Sequence, residues 1–305
     1  METALARVRT LSPPAFLKLS IASCVALFLV VTSGAFVRLT GSGLGCDNWP
    51  RCGDKPYPEQ GFHAFVEFGN RLVALVGLLL TLATWLGATR VVGLPRGARL
   101  AALGAFLLAL AQIPMGAITI AVDLHPLAVM THFLLALVVV ALAVVVVIEA
   151  GSLVTGLAAP AGPLWLRRLV TWAGLPACAA LVVTGAVATA SGPHPGADED
   201  VERLGLEIAD TVYIHVRVAA AFGIGVLFIG WFIVRMRDRY PGLLLVWGAL
   251  LAALVAQAIV GEVQYRNALP WGLVLVHVFL AAAIWALGVA LAYALWRPPR
   301  RLARQ

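Results

Sequence analysis

Glu67, Asn70 and Arg71 fall within one helical turn near the start of a long apolar segment, and His132, His215 and His277 fall near the starts of three others. Carboxylate, amide, guanidinium and imidazole groups at one depth of an apolar bundle can hold a metal-centred cofactor and move protons beside it. Bis-imidazole ligation of a haem iron needs two histidines facing each other across helices, the placement expected of His215 and His277. Asn70 takes the place in the first half of the chain that His215 takes in the second, and an amide is a poor iron ligand. An iron held there by His132 keeps an open face suited to chemistry, whereas the saturated pair suits electron transfer. Zinc or copper would want three or four ligands with Cys or carboxylate among them, so haem is the cofactor expected.

Each group also has a plainer reading. A single histidine near a helix end ordinarily bonds a carbonyl. Glu67 can sit in the positive field of a helix start and pair with Arg71 at i+4. As a functional group it relays a proton or stabilises developing positive charge at the edge of a low-dielectric pocket. Arg38, Arg71 and Arg217 either pair with haem propionates or reach out to the interface. His63, His125 and His194 lie in outer loops and are expected to be solvated. Cys24 and Cys178 read as apolar fillers within helices. Cys46 and Cys52 flank Asp47, Asn48, Trp49, Pro50 and Arg51 on the oxidising side, where a disulfide is expected. That bond is either a structural clip or a redox pair exchanging with an outside thiol carrier.

The elements that must position these groups follow from composition. The chain has 305 residues, 61% of them hydrophobic and only 12% charged. A soluble domain could not hide that much apolar surface. Eight apolar runs are long enough to span a bilayer, at 16–37, 67–89, 99–120, 127–149, 168–190, 213–235, 242–264 and 272–296. They are continuous rather than alternating, which predicts helices and not a barrel. Fifteen of the 22 basic residues, from Arg7 and Arg9 to Arg304, fall on one side of this topology. Twelve of the 15 acidic residues, Asp198 and Glu199 among them, fall on or near the other side. Both termini are therefore expected in the cytoplasm, with no cleavable signal peptide and a polar cytoplasmic tail before the first run. The net charge of +7 reports topology and calls for no nucleic acid.

The chain also repeats itself. VTSGAFVRLTGSG from Val31 is echoed by VTGAVATASGPHPG from Val183, Gln112-x-x-x-Gly116 by Gln257-x-x-x-Gly261, and His132-x-x-x-Ala136 by His277-x-x-x-Ala281. Four helices per half keep both halves in one orientation. The expected fold is an all-α membrane protein: two tandem four-helix bundles, 1–150 and 151–305, related by a pseudo-twofold axis along the membrane normal. Residues 150–166 read as the linker.

With these residues assembled, the chain resembles the haem A synthase family over nearly its whole length. The resemblance rests on GAFVRLTGSGLGC, Trp49-Pro50 and the second cysteine Cys52, on Glu67-x-x-Asn70-Arg71, and on His132, His215 and His277. It implies an eight-helix oxidoreductase of the bacterial plasma membrane that converts a methyl group of haem O to the formyl group of haem A, for terminal oxidase biogenesis. It further implies His215 and His277 as ligands of a resident haem b, His132 as ligand of the substrate haem, and Glu67 as the catalytic carboxylate. Asn70 stands where the family commonly has histidine, and the second cysteine pair that many members carry before helix 6 is absent here. Implied partners are haem O, membrane lipid, an unidentified electron donor or acceptor, a haem O synthase and a second copy of the chain. The rival readings are a dihaem b electron-transfer protein linked to quinol and a transporter built on the repeat.

Overall fold

The computed structural model describes residues 10–46, 49–59, 61–158, 162–197 and 200–302. Arg7, Arg9, Asp47, Asn48, Asp198, Glu199 and Arg304 lie outside them. Eight long helices make up the described chain: α1 (Pro13–Leu39), α2 (Phe62–Arg90), α3 (Arg96–Ala121), α4 (Pro126–Thr155), α5 (Leu164–Ser191), α6 (Ile208–Arg235), α7 (Pro241–Arg266) and α8 (Trp271–Trp296). There is no strand among the described residues, only isolated bridges. Each helix has 26 to 30 residues, more than the roughly 20 that cross a hydrocarbon core. The chain is a multi-pass membrane protein.

Every helix begins before its apolar run. α2 opens at Phe62 rather than Glu67, and α5 at Leu164 rather than 168. α4 continues to Thr155, which shortens the linker expected over 150–166. Hydropathy marks only the part of a helix that meets hydrocarbon, whereas the backbone keeps its ladder through the interface. α5 carries a π-turn at Val170–Gly174, just before Pro176. Proline cannot donate into the ladder, and a wider turn absorbs the gap.

Contacts within the first four helices join α1 to α2 and α4, and α3 to α2 and α4. Among the last four, α5 packs on α6 and α8, and α7 on α6 and α8. The two sets meet where α4 and α1 lie against α8, and α4 against α5. Leu27, Val31, Val140, Val144, Ala282, Ala286 and Val289 fill that seam. Lipid offers helices no hydrophobic drive to associate, so close packing has to supply it. Small residues serve here: Ala98, Ala101, Ala102 and Ala105 of α3 are all buried.

The turns after α3 and α7 share one backbone solution. After α3, Leu124 N bonds Thr119 O at 2.8 Å and Asp123 N bonds Ile120 O at 3.1 Å. This is a Schellman closure. After α7, Leu269 N bonds Gln264 O at 2.7 Å in the same way. Asp123, Leu124, Ala268 and Leu269 all take left-handed φ between 47° and 59°. None is glycine, so each turn is held against a local preference by its surroundings.

At the end of the bundle where α1 starts and α8 stops, Glu149 of α4 is buried and ties the two sets together. Tyr293 of α8 donates to its Oε1 at 2.7 Å, and Arg297 engages both oxygens. The segment after α8 then returns to the end of α4, with Arg300 N donating to Gly156 O at 2.7 Å and Ala158 N to Pro298 O at 2.9 Å. Glu149→Ala leaves Arg297 without its partner. We expect a loss of about 2 kcal/mol, since Arg297 is part-exposed and the carboxylate is not. It would read as a lowered thermal midpoint in detergent, with Glu149→Gln falling between.

Candidate functional site

Four polar side chains on even-numbered helices each face a glycine of the helix before. A Cβ built on Gly34 would stand 4.0 Å from Asn70 Oδ1, and one on Gly116 3.7 Å from His132 Cε1. At Gly185 it would meet His215 Cε1 at 3.0 Å, and at Gly261 it would meet His277 Cε1 at 3.1 Å. The last two distances are tighter than ordinary van der Waals contact, so any larger residue displaces the ring. The glycines expected only to ease helix packing therefore also make room for the imidazoles.

The residue preceding the first glycine of each half holds the same polar group. Ser33 Oγ donates to Asn70 Oδ1 at 2.7 Å, and Thr184 Oγ1 lies 3.1 Å from His215 Nδ1. The Thr184 hydroxyl hydrogen is directed at its own helix carbonyls, Ala180 O and Leu181 O. Its oxygen is thus the acceptor for Nδ1–H, which leaves the His215 Nε2 lone pair for a ligand.

His215 and His277 come together, with ring centroids 6.4 Å apart and planes at 65°. A metal ion bonded at about 2 Å to one nitrogen of each ring would hold the centroids about 6 Å apart. The pair fits an iron porphyrin on this measure. Among the described residues no group of three or more His, Cys, Asp and Glu side chains gathers as a metal cluster, so the donor set here is two imidazoles. His132 Nδ1 and His277 Nδ1 are buried without a hydrogen-bond partner among the described residues, as are Gln112 Oε1 and Gln257 Oε1. Gln112 Nε2 reaches the His132 carbonyl at 3.3 Å. An orphan donor and an orphan acceptor thus recur beside both α4 and α8. Sequence reasoning found Gln112 and Gln257 as repeat markers but gave them no role.

Glu67 lies in the second turn of α2, one turn before Asn70 and Arg71, and is 5% exposed. Its Oε2 accepts from Cys46 N at 2.8 Å and its Oε1 from Arg71 Nη2 at 2.5 Å. Arg71 Nη1 donates onward to Pro50 O at 3.1 Å and Arg51 O at 3.0 Å. The expected pairing of Glu67 with Arg71 is present. Arg71 also grips the loop that precedes α2. Cys46 and Cys52 form the expected disulfide, and both are buried, at 3% and 9% exposure. A thiol carrier would have to open this loop to reach the sulfurs. Gly45 lets the loop press on α2, since a Cβ there would lie 2.4 Å from His63 O.

His63, in the first turn of α2, is exposed as expected of a solvated group, whereas His125 and His194 are only part-exposed, and all three make contacts. His63 Nδ1 bonds Ser42 Oγ at 2.9 Å, and His194 Nε2 lies 2.8 Å from Leu269 O. His125 caps α4, accepting from Leu127 N, and stands 3.6 Å from Glu202. Arg217 stacks on Tyr213 with its Cζ 3.1 Å from the ring centroid and is exposed, as interfacial reach predicts. Arg38 is bound to backbone carbonyls of the α5 end. No sequence signal marked these loop contacts.

Removing the Glu67 carboxylate releases both the Cys46 amide and Arg71. Limited proteolysis of Glu67→Ala should cut within residues 40–61 several-fold faster than in the wild type, and an unchanged rate would show that the loop does not depend on Glu67.

Three comparisons bear on this arrangement. The family model described as cytochrome oxidase assembly protein matches residues 18–289. A protohaem IX farnesyltransferase of Thermus thermophilus is 30% identical over 289 residues, covering 87% of this chain and 46% of that protein. The chain thus spans about half the length of this relative. A haem A synthase of Bacillus licheniformis is 28% identical over 116 residues, 38% of either chain. One from Geobacillus kaustophilus is 32% identical over 105 residues, 34% of this chain and 33% of the relative. The helices, the paired imidazoles and the match across 18–289 together place this chain in the cytochrome oxidase assembly protein family.

Proposed function

We propose that this chain is a haem A synthase that oxidises a ring methyl of haem O to the formyl of haem A. The observation that carries the proposal is the pair His215 and His277, ring centroids 6.4 Å apart, with Thr184 on Nδ1 leaving the His215 Nε2 lone pair for a ligand. On this reading residues 1–150 form the substrate bundle and 151–305 the electron-transfer bundle, related by a pseudo-twofold axis. The four glycine contacts and the matched Schellman turns support that division. A haem b held by His215 and His277 supplies one-electron transfer.

In the N-terminal half, His132 holds the substrate iron, against Gly116. Asn70 is kept by Ser33 as a neutral amide on the opposite helix, which leaves that face open for exchange of product for substrate. Oxidising the methyl to the formyl needs an oxygen atom from water or dioxygen and an electron acceptor outside the chain, and Glu67 accepts a proton released in that conversion. Its carboxylate is fixed by Arg71 and by the loop amide of Cys46, so the disulfide serves as a clip that positions it. Both termini are cytoplasmic in the plasma membrane of a bacterium, which puts the site beneath the outer leaflet.

The farnesyltransferase name belongs to a protein with as much chain again beyond the matched part. Prenyl transfer from a diphosphate relies on carboxylates that hold Mg²⁺ against the phosphates. The buried carboxylates here, Glu67 and Glu149, lie on different helices and are each tied to an arginine, and the described residues gather no carboxylate cluster, which favours haem oxidation for the shared half. A farnesylated protohaem is the class of substrate that a haem A synthase consumes. Joining of the two segments in one relative supports a haem O synthase as a neighbour of this chain.

The test is expression with a supply of haem O, followed by chromatography of extracted haems. Wild type should yield haem A and a Soret band of bis-imidazole type. His277→Ala should lose the resident haem, and Glu67→Ala should keep it while losing haem A by about 100-fold or more. Haem A from Glu67→Ala would remove the catalytic assignment, and a colourless wild type would remove the whole reading.

A further inference from the structure

At the outer face, where α1 meets the end of α5, two guanidiniums converge. Arg38, in the last turn of α1, donates from Nε to His194 O at 3.0 Å and from Nη2 to Thr189 O at 2.8 Å. Arg203, in the loop before α6, donates to the same two carbonyls. Its Nη2 lies 3.1 Å from Thr189 O and its Nη1 3.4 Å from His194 O, and Nη2 also engages Gly192 O. The Nε of Arg203 is buried with no hydrogen-bond partner among the described residues.

This is an expensive arrangement as it stands. Two like charges that share acceptors repel, and each has given up hydration. Burial lowers the pKa of Arg203 from its ordinary value. No carboxylate among the described residues pairs with either arginine. Glu202, next to Arg203 in the chain, faces His125 instead. Backbone carbonyls offset part of the charge, and an anion would offset the rest.

The position of the pair says which anion. Thr189 stands four residues beyond Gly185 on the same face of α5, and Gly185 is the glycine against which His215 packs. Thr189 therefore lies about one helical turn, roughly 6 Å, outward of the imidazole contact, and the two guanidiniums bonded to its carbonyl lie a hydrogen-bond length beyond it. They sit at the edge toward which the acidic side chains of an amphiphilic ring would point.

We propose that Arg38 and Arg203 form an anion site for a carboxylate of the porphyrin held by His215 and His277. This rests on the haem reading above and deepens it. Arg38 comes from the N-terminal half, so that half supplies one of the two charges fixing the group bound in the C-terminal half. Neither Arg71 nor Arg217 is placed for this role.

The experiment uses full-length protein purified with its haem. The rate of haem loss to excess apomyoglobin is measured for wild type, Arg203→Gln, Arg203→Lys and Arg38→Gln, together with the midpoint potential. Loss of a charge-assisted bond should speed release about tenfold. It should also lower the potential, because a cation beside the ring favours the reduced state. Arg203→Lys should restore most of the potential. As a check free of mutation, wild type is refilled with the dimethyl ester of the same haem, which should leave as fast as the free acid leaves Arg203→Gln. Wild-type rates and potentials in both Gln variants, or an ester held as firmly as the acid, would overturn the site. That result would mean a staple only, or an anion from lipid. A colourless wild type overturns the haem reading and this inference together, whereas coloured protein with insensitive variants overturns the arginine site alone.

Discussion

A nitrogen- or oxygen-bearing side chain that faces inward in a lipid-embedded bundle needs room and a partner, and the neighbouring helix must supply both. Water is absent there, and an unsatisfied polar atom costs several kcal/mol. In this chain the same short stretch of backbone answers both needs on each side. Gly185 makes room for His215 and Gly34 lies beside Asn70, while the preceding Ser33 and Thr184 bind their polar atoms. Close approach at glycine is also what holds helices together in the absence of a hydrophobic drive. Packing and the placement of these polar side chains are therefore one constraint.

Two buried carboxylates mark opposite ends of the structure and act differently. Glu149 joins α4 to α8 through Tyr293 and Arg297. Glu67 joins a helix to an outer loop through the Cys46 amide and Arg71. The first locks two helices that are already in contact. The second brings a water-facing loop down onto the rim of the bundle, so the disulfide and the carboxylate are mechanically one unit.

Much of this was legible in the sequence because it depends on periodicity and depth. Hydropathy alone located eight spans, and the repeat singled out His132 and His277. The helix starts were not legible from the apolar runs: Phe62–Val66 is apolar but for His63, yet a run counted from Glu67 leaves this first turn of α2 out. The loop path was not legible either. His125 and His194 are partly covered only once the loops fold back, and Arg71 turns to the loop because Pro50 and Arg51 offer carbonyls that only the folded loop brings near. Arg203 carries no motif at all; its meaning appears only when Arg38 arrives at the same carbonyls from the other half.

The Schellman turns after α3 and α7 carry a further consequence. Each leaves only a few residues before its following helix, and His132 and His277 both lie in the second turn of that helix. One added or deleted residue there would swing the imidazole by about 100° around its axis, out of the glycine notch and toward acyl chains. The longer outer segments before α2 and α6 impose no such phase. Length variation among relatives should thus accumulate in those two segments, while the two short corners stay fixed in length, set by rotation rather than by reach.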